Sequence, residues 1–226
     1  MRLLEKILET HGGRKRWEKA RTIEAVISTG GLAFNARFRG EIRNLRAELQ
    51  VHRPEVTLDC PDRGWKAQIQ DTNITIESTS ESPESQKIAA KSFHIDENLG
   101  WIWGDLEQAY FTGMALWNYL TMPALLTKFL ASETDSSVTL LLPKEIPSHC
   151  RKQFLTFDEE GLLRRHEYIA TAFGGWARAA HDILDYDTFN GILMPSYREV
   201  YPFALRRTGL AFPRLVWIRM HDFQLK

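Results

Sequence analysis

Three runs near the C-terminus decide the fold: Leu162–Thr171 (LLRRHEYIAT), Ala179–Tyr186 (AAHDILDY) and Ile192–Tyr201 (ILMPSYREVY). Each is rich in aliphatic, aromatic and β-branched residues at strand length, and each is bounded by turn-forming residues. Gly174-Gly175 separates the first two, and Asn190-Gly191 separates the second and third. Asn-Gly tolerates the positive φ that a tight hairpin turn requires. Consecutive strands joined by such short turns form an antiparallel meander. Working outward, Ser137–Leu142, Arg151–Phe157 and Pro213–Phe223 extend it, and Asp158-Glu159-Glu160-Gly161 supplies another turn.

The N-terminal half repeats the theme. Leu3, Leu4, Ile7 and Leu8 recur at helical spacing, and a second short helical piece carries Trp17. Thr22–Thr29 then alternates as a strand, and Gly30-Gly31 reads as a hairpin turn into a second strand, Leu32–Phe38. Short strands follow at Val56–Leu58, Gly64–Ile69 and Thr72–Glu77; Leu45, Glu48 and Val51 hint weakly at helix, but their neighbours favour extended chain. The Ser- and Glu-rich segment Ser78–Lys91 reads as a surface loop. Between the two β regions, Asp105 is placed to cap a helix reaching about Thr121, and Pro123 opens a second helix running through about Ala131. Both are apolar around most of their circumference, which is the pattern of buried helices.

The expected architecture is α+β: one domain over residues 1–226, built on a large curved antiparallel sheet of about ten or eleven strands. A sheet of that size curls into an unclosed barrel, and the helices are expected to cover its concave face.

Composition narrows the function. The 226 residues carry 29 Lys plus Arg and 29 Asp plus Glu, a net charge of zero, which argues against nucleic acid as the main partner. Two cysteines exclude a disulfide-dense scaffold and a four-cysteine metal site. No close-spaced zinc pair, nucleophile-elbow serine or phosphate-binding glycine loop is present, so no metal and no cofactor is implied and no catalytic residue is assigned. The most apolar stretch, Met114–Leu130, is too short for a membrane span and contains Asn118, Pro123 and Lys128. The charged N-terminus lacks a signal-peptide core, so the chain as written is expected to be cytoplasmic, or periplasmic if an export signal has been removed.

Several pieces resemble the LolA/LolB-like lipoprotein-carrier fold, an incomplete β-barrel whose concave side is covered by helices. His11-Gly12-Gly13 with Trp17 and the strand Thr22–Thr29 is similar to its "GG…W…I" entry. Phe157–Arg165 is similar to its "D…G-L…R" hairpin, and Asp185-Tyr186, Phe189-Asn190-Gly191-Ile192 and Met194-Pro195 to the "D-Y…F-x-G-I-x-x-P" strands that follow. The resemblance implies a groove able to hold acyl chains or another apolar ligand. It does not imply lipoprotein trafficking, because the signal peptide and lipidated cysteine of the exported carriers are lacking.

Candidate ligand-binding residues follow. Tyr110, Phe111, Met114, Trp117, Tyr119, Met122 and Phe129 give the helical hairpin a broad apolar surface that fills the barrel mouth as core or, where packing leaves space, suits an adaptable pocket. His166 and His181 lie on consecutive strands and can meet across the hairpin, with Asp182 or Asp185 as acidic partners. His149 and Cys150 are adjacent, which on a strand would point them to opposite faces. Strand alternation lets only one of Arg164 and Arg165, and only one of Tyr197 and Arg198, face inward; Arg165 and Arg198 are taken as candidates to hold a polar headgroup. The leading expectation is binding of a fatty acid, lipid or terpenoid. Two rivals stay open: an enzyme using His166 and His181 as acid/base on such a ligand, and a protein-interaction module with a packed core.

Overall fold

The structure is a computed structural model that describes residues 2–79, 89–94, 99–204 and 212–226. Helices α1 (Leu3–Thr10) and α2 (Arg14–Lys19) lead into β1 (Thr22–Gly30) and a single turn, α3 (Leu32–Asn35). Five strands follow: β2 (Ile42–Gln50), β3 (Glu55–Cys60), β4 (Trp65–Gln70), β5 (Asn73–Ser78) and β6 (Ala89–Ser92). The helical hairpin is α4 (Asp105–Leu120) and α5 (Met122–Phe129). The second meander is β7 (Leu130–Glu133), β8 (Ser137–Leu141), β9 (Lys152–Phe157), β10 (Leu163–Ile169), β11 (Arg178–Phe189), β12 (Ile192–Pro202) and β13 (Val216–Leu225).

All thirteen described strands form one antiparallel sheet in the order β6-β5-β4-β3-β2-β1-β13-β12-β11-β10-β9-β8-β7. Every neighbour is a sequence neighbour except β1 and β13, so the first and last strands join two meanders. Strands β6 and β7 remain the two edges, and the sheet does not close. The α+β, unclosed-barrel expectation therefore holds, with more strands than the ten or eleven expected. The two extra short strands are edges: β6 comes out of the segment read as a loop, and β7 begins at Leu130 and Ala131, read as the end of a helix. Of the expected Ser78–Lys91 loop, residues 80–88 lie outside the described residues.

Alternation decides which face is which. In β4, Trp65, Ala67 and Ile69 are buried while Lys66, Gln68 and Gln70 are exposed. Helix α4 lies across β2 to β5 on the buried face, and α5 packs against β7, β8 and α1. Gly113 permits the close approach: a Cβ there would stand 2.3 Å from Ile69 Cδ1. The helix cap is Gly104, whose N–H donates to Glu107 Oε2 at 2.9 Å; Asp105, expected as the cap, instead pairs with Arg39 and Arg63.

The expected Gly30-Gly31 hairpin does not form. β1 pairs with β2, and the intervening segment is helical. Its amides are drawn to another element: Leu32 and Ala33 N–H groups donate to the carbonyls of Arg214 and Leu215 just before β13. Gly31 makes that contact accessible. Its φ is 128°, and a Cβ there would lie 2.5 Å from the Leu215 carbonyl oxygen.

Candidate functional site

Helix α4 does not fill the concave face. Between it, α3, the turn Thr171–Phe173 and the inner faces of β1, β11, β12 and β13 lies a cavity of about 850 Å³. Its walls are Ile27, Phe34, Phe111, Leu116, Val200 and Ile218 among other apolar side chains. Its mouth is aromatic and basic: Trp101 is 73% exposed and Trp176 77% exposed, with Arg37 and Arg178 beside them. The Arg37 guanidinium sits 4.1 Å from the Phe173 ring centroid and 4.9 Å from that of Trp103. Such cation–π contacts hold it in place where burial lowers its pKa.

The inner end is polar. Tyr119 Oη is 2.6 Å from Tyr168 Oη, and Tyr168 Oη is 2.7 Å from His181 Nε2; all three residues line the cavity. His166 is set behind them, 2.7 Å from Gln153 Oε1, and Gln153 in turn exchanges hydrogen bonds with Asn118. Burial pushes the His166 pKa down to about 3 and that of His181 well below its ordinary value, with the nearby Arg198 charge acting the same way. Both imidazoles are therefore neutral at pH 7. Burial also raises the phenol pKa of Tyr119, so it too is neutral.

A much smaller chamber, about 20 Å³, lies on the other side of Tyr119 and is lined by His11, Met122, Leu126, Met194 and Arg198. Tyr119 is the one side chain lining both spaces. The Arg198 guanidinium stacks on its ring, with Cζ 4.8 Å from the centroid.

The candidate residues thus separate into groups. Phe111, Tyr119 and His181 line the cavity; Met122 and Arg198 line the chamber. Tyr110, Met114 and Trp117 are buried in the core, Tyr110 stacked on Phe93 and Trp117 donating its indole N–H to Gln50 O. Phe129 is half-buried at the end of α5. Arg165 does not reach the cavity. A register shift between Leu163 and Arg165 turns both Arg164 and Arg165 to the outer face, where they pair with Asp158 and Glu167. At the other alternation, Arg198 faces inward and Tyr197 outward.

His166 and His181 do meet: they are register partners on β10 and β11, with ring centroids 5.2 Å apart. Their expected acidic partners are elsewhere. Asp182 is opposite Arg165 and Asp185 is exposed, so neither stands beside the imidazoles. Among the described residues no His/Cys/Asp/Glu group could hold a metal ion. His149 and Cys150 are not on a strand, and both are buried. Burial raises the Cys150 thiol to about 12, a protonated and unreactive state.

The cavity residues that sequence reasoning missed are Ala33, Phe34 and Arg37 around α3, and Trp101, Phe173 and Trp176 at the mouth. The sequence pattern makes α3 part of a strand, Leu32–Phe38, and Gly174-Gly175 a turn between strands, so neither segment points to a cavity. The sheet side of the wall was open to discovery, since Ile27 and Val200 occupy inward positions of alternating strands.

No family model matches the sequence, and no curated protein does. Solved structures with a similar fold include two with named families. A DUF1329 family protein from Desulfovibrio piger aligns over 99% of this chain and 92% of its own, with 12% identity and a TM-score of 0.52. A LolA superfamily protein from Nitrosomonas europaea aligns over the same shares, with 12% identity and a TM-score of 0.46. Among the described residues no helix is long and apolar enough to cross a membrane. At such identity the likeness to the DUF1329 family protein is one of fold alone: an α+β architecture in which helices lie against the concave face of an unclosed antiparallel sheet.

Proposed function

We propose that this chain binds an apolar or amphipathic small molecule of the fatty acid, lipid or terpenoid class in the cavity between α3, α4 and the sheet. The observation that supports it is the 850 Å³ space walled by apolar side chains. Ligand sites occupy about 300–1,000 Å³ and are apolar with a few placed polar groups. A packed interior, which the interaction-module alternative requires, would leave no such space. Affinity would come from apolar surface leaving water, at roughly 25 cal/mol per Å², less the cost of ordering the ligand.

Titration of the purified protein with a dansyl-labelled fatty acid tests this. Saturable binding is expected for the wild type. Ala115 lines the cavity from α4. Ala115→Trp should occupy the ligand's space and weaken binding at least about tenfold. Equal binding by the variant, or none by the wild type, would count against the proposal.

A further inference from the structure

Among the described residues Arg198 has no counter-ion. It is 5% exposed, and no described residue makes a hydrogen bond or an ion pair with it. Among the described residues its guanidinium stacks on the face of Tyr119. The neighbouring acid Glu199 points outward and bonds Tyr197, Tyr201 and Arg214. Isolated buried charges are costly, and proteins keep them paired. A fold breaks that rule mainly where function needs it.

The groups around Arg198 are neutral at pH 7 but well placed to donate. Its charge acts on Tyr119, Tyr168, His166 and His181 together, so the inner end of the cavity is electropositive. The hydrogen-bond chain has a direction. His181 Nδ1 has no partner among the described residues. A buried N–H without an acceptor is rarer and costlier than a bare ring nitrogen, so the proton belongs on Nε2. Nε2–H then donates to Tyr168, and Tyr168 donates to Tyr119. The Tyr119 hydroxyl is left with its own proton to give into the cavity.

We infer that the inner end of the cavity is a receptor for a carboxylate on an apolar tail, with Tyr119 donating to the carboxylate and Arg198, behind its ring, supplying the compensating charge. The inference rests on the ligand-binding reading above and adds the headgroup and the direction of entry: head first, tail toward Trp101 and Trp176. A carboxylate suits the site because the charge offered is single and the group that faces the cavity in front of it, the Tyr119 hydroxyl, is a hydrogen-bond donor. A neutral terpenoid or alcohol would leave Arg198 uncompensated.

Calorimetric titration with hexadecanoic acid and hexadecan-1-ol, on delipidated protein at pH 8, decides it. The wild type should prefer the acid by about tenfold or more, as for other charge-assisted hydrogen bonds. Arg198→Met should bind the two equally. That variant removes an unpaired buried charge, so it is expected to fold. Arg198→Lys should keep the preference, and Tyr119→Phe should reduce it. Equal affinity of the wild type for acid and alcohol, or a preference that survives Arg198→Met, would overturn this inference and leave apolar binding standing. Failure of both probes to bind would overturn the two together.

Discussion

The protein should lose stability steeply between pH 6.5 and pH 5. His149, His166 and His181 are fully buried, and burial is the largest cause of each one's lowered pKa, to about 4 for His149 and about 3 for His166. A histidine whose folded pKa lies below its unfolded value of about 6.5 takes up a proton on unfolding at any pH between the two. Stability from these groups is therefore complete above pH 6.5 and is lost as pH falls below it. His149 and His166 each contribute about 1.4 kcal/mol per pH unit, so by pH 5 the two together cost about 4 kcal/mol, and His181 acts in the same direction. That is a large part of the 5–15 kcal/mol typical of a domain. Urea midpoints measured from pH 8 to pH 5 should show it, and a flat profile would contradict it. His149 offers an internal check. Its ring stacks with Phe111 at 5.7 Å and meets Tyr110 edge-on at 5.4 Å, and neither ring nitrogen has a partner among the described residues. It serves as an aromatic core residue, so His149→Phe should keep the packing and make the slope shallower by about 1.4 kcal/mol per pH unit.

Trp17→Ala should be the most damaging single truncation near the N-terminus, at about 3–5 kcal/mol. The ring is fully buried, lies 6.4 Å from Phe223 of β13, and donates its indole N–H to His11 O at 2.8 Å. It thereby ties the glycine-rich entry to the junction of β1 and β13, the one join that makes a single sheet of two meanders. Removing it leaves a cavity there and frees the His11 carbonyl. Trp17→Phe keeps one ring but loses the hydrogen bond and part of the buried volume, so it should cost less than Trp17→Ala, about 1–3 kcal/mol. Chemical denaturation measures both; a Trp17→Ala loss below about 1 kcal/mol would show that the junction is held by other contacts.

Most of the architecture was legible because it depends on local patterns. Inward and outward positions alternate in β4, and the Asn190-Gly191 turn joins β11 to β12 with positive φ at both residues. Helices α4 and α5 announced themselves by apolar residues around their circumference. Leu32–Phe38 was misread because its conformation is set from outside. Carbonyls of Arg214 and Leu215, just over 180 residues later, capture its amides. The register shift in β10 had the same character: alternation assigns one of Arg164 and Arg165 inward, and the shift turns both outward. Alternation did narrow Tyr197 and Arg198 to one inward residue, but only the pairing of β12 with β11 and β13 says which. The cavity itself was hidden. A sequence shows which side chains face inward, and a void depends on how far apart their elements stand. Gly113 brings α4 down onto β4, while α3 and the Thr171–Phe173 turn hold the wall open on the other side.

The central claim is that the concave face holds a ligand, and native mass spectrometry of protein isolated from its own cell tests it most directly. The account predicts an additional apolar mass, released on denaturation and recovered by solvent extraction, that is absent from the Ala115→Trp variant. A bare protein mass from the wild type, together with no thermal shift on adding fatty acids, lipids or terpenoids, would contradict it.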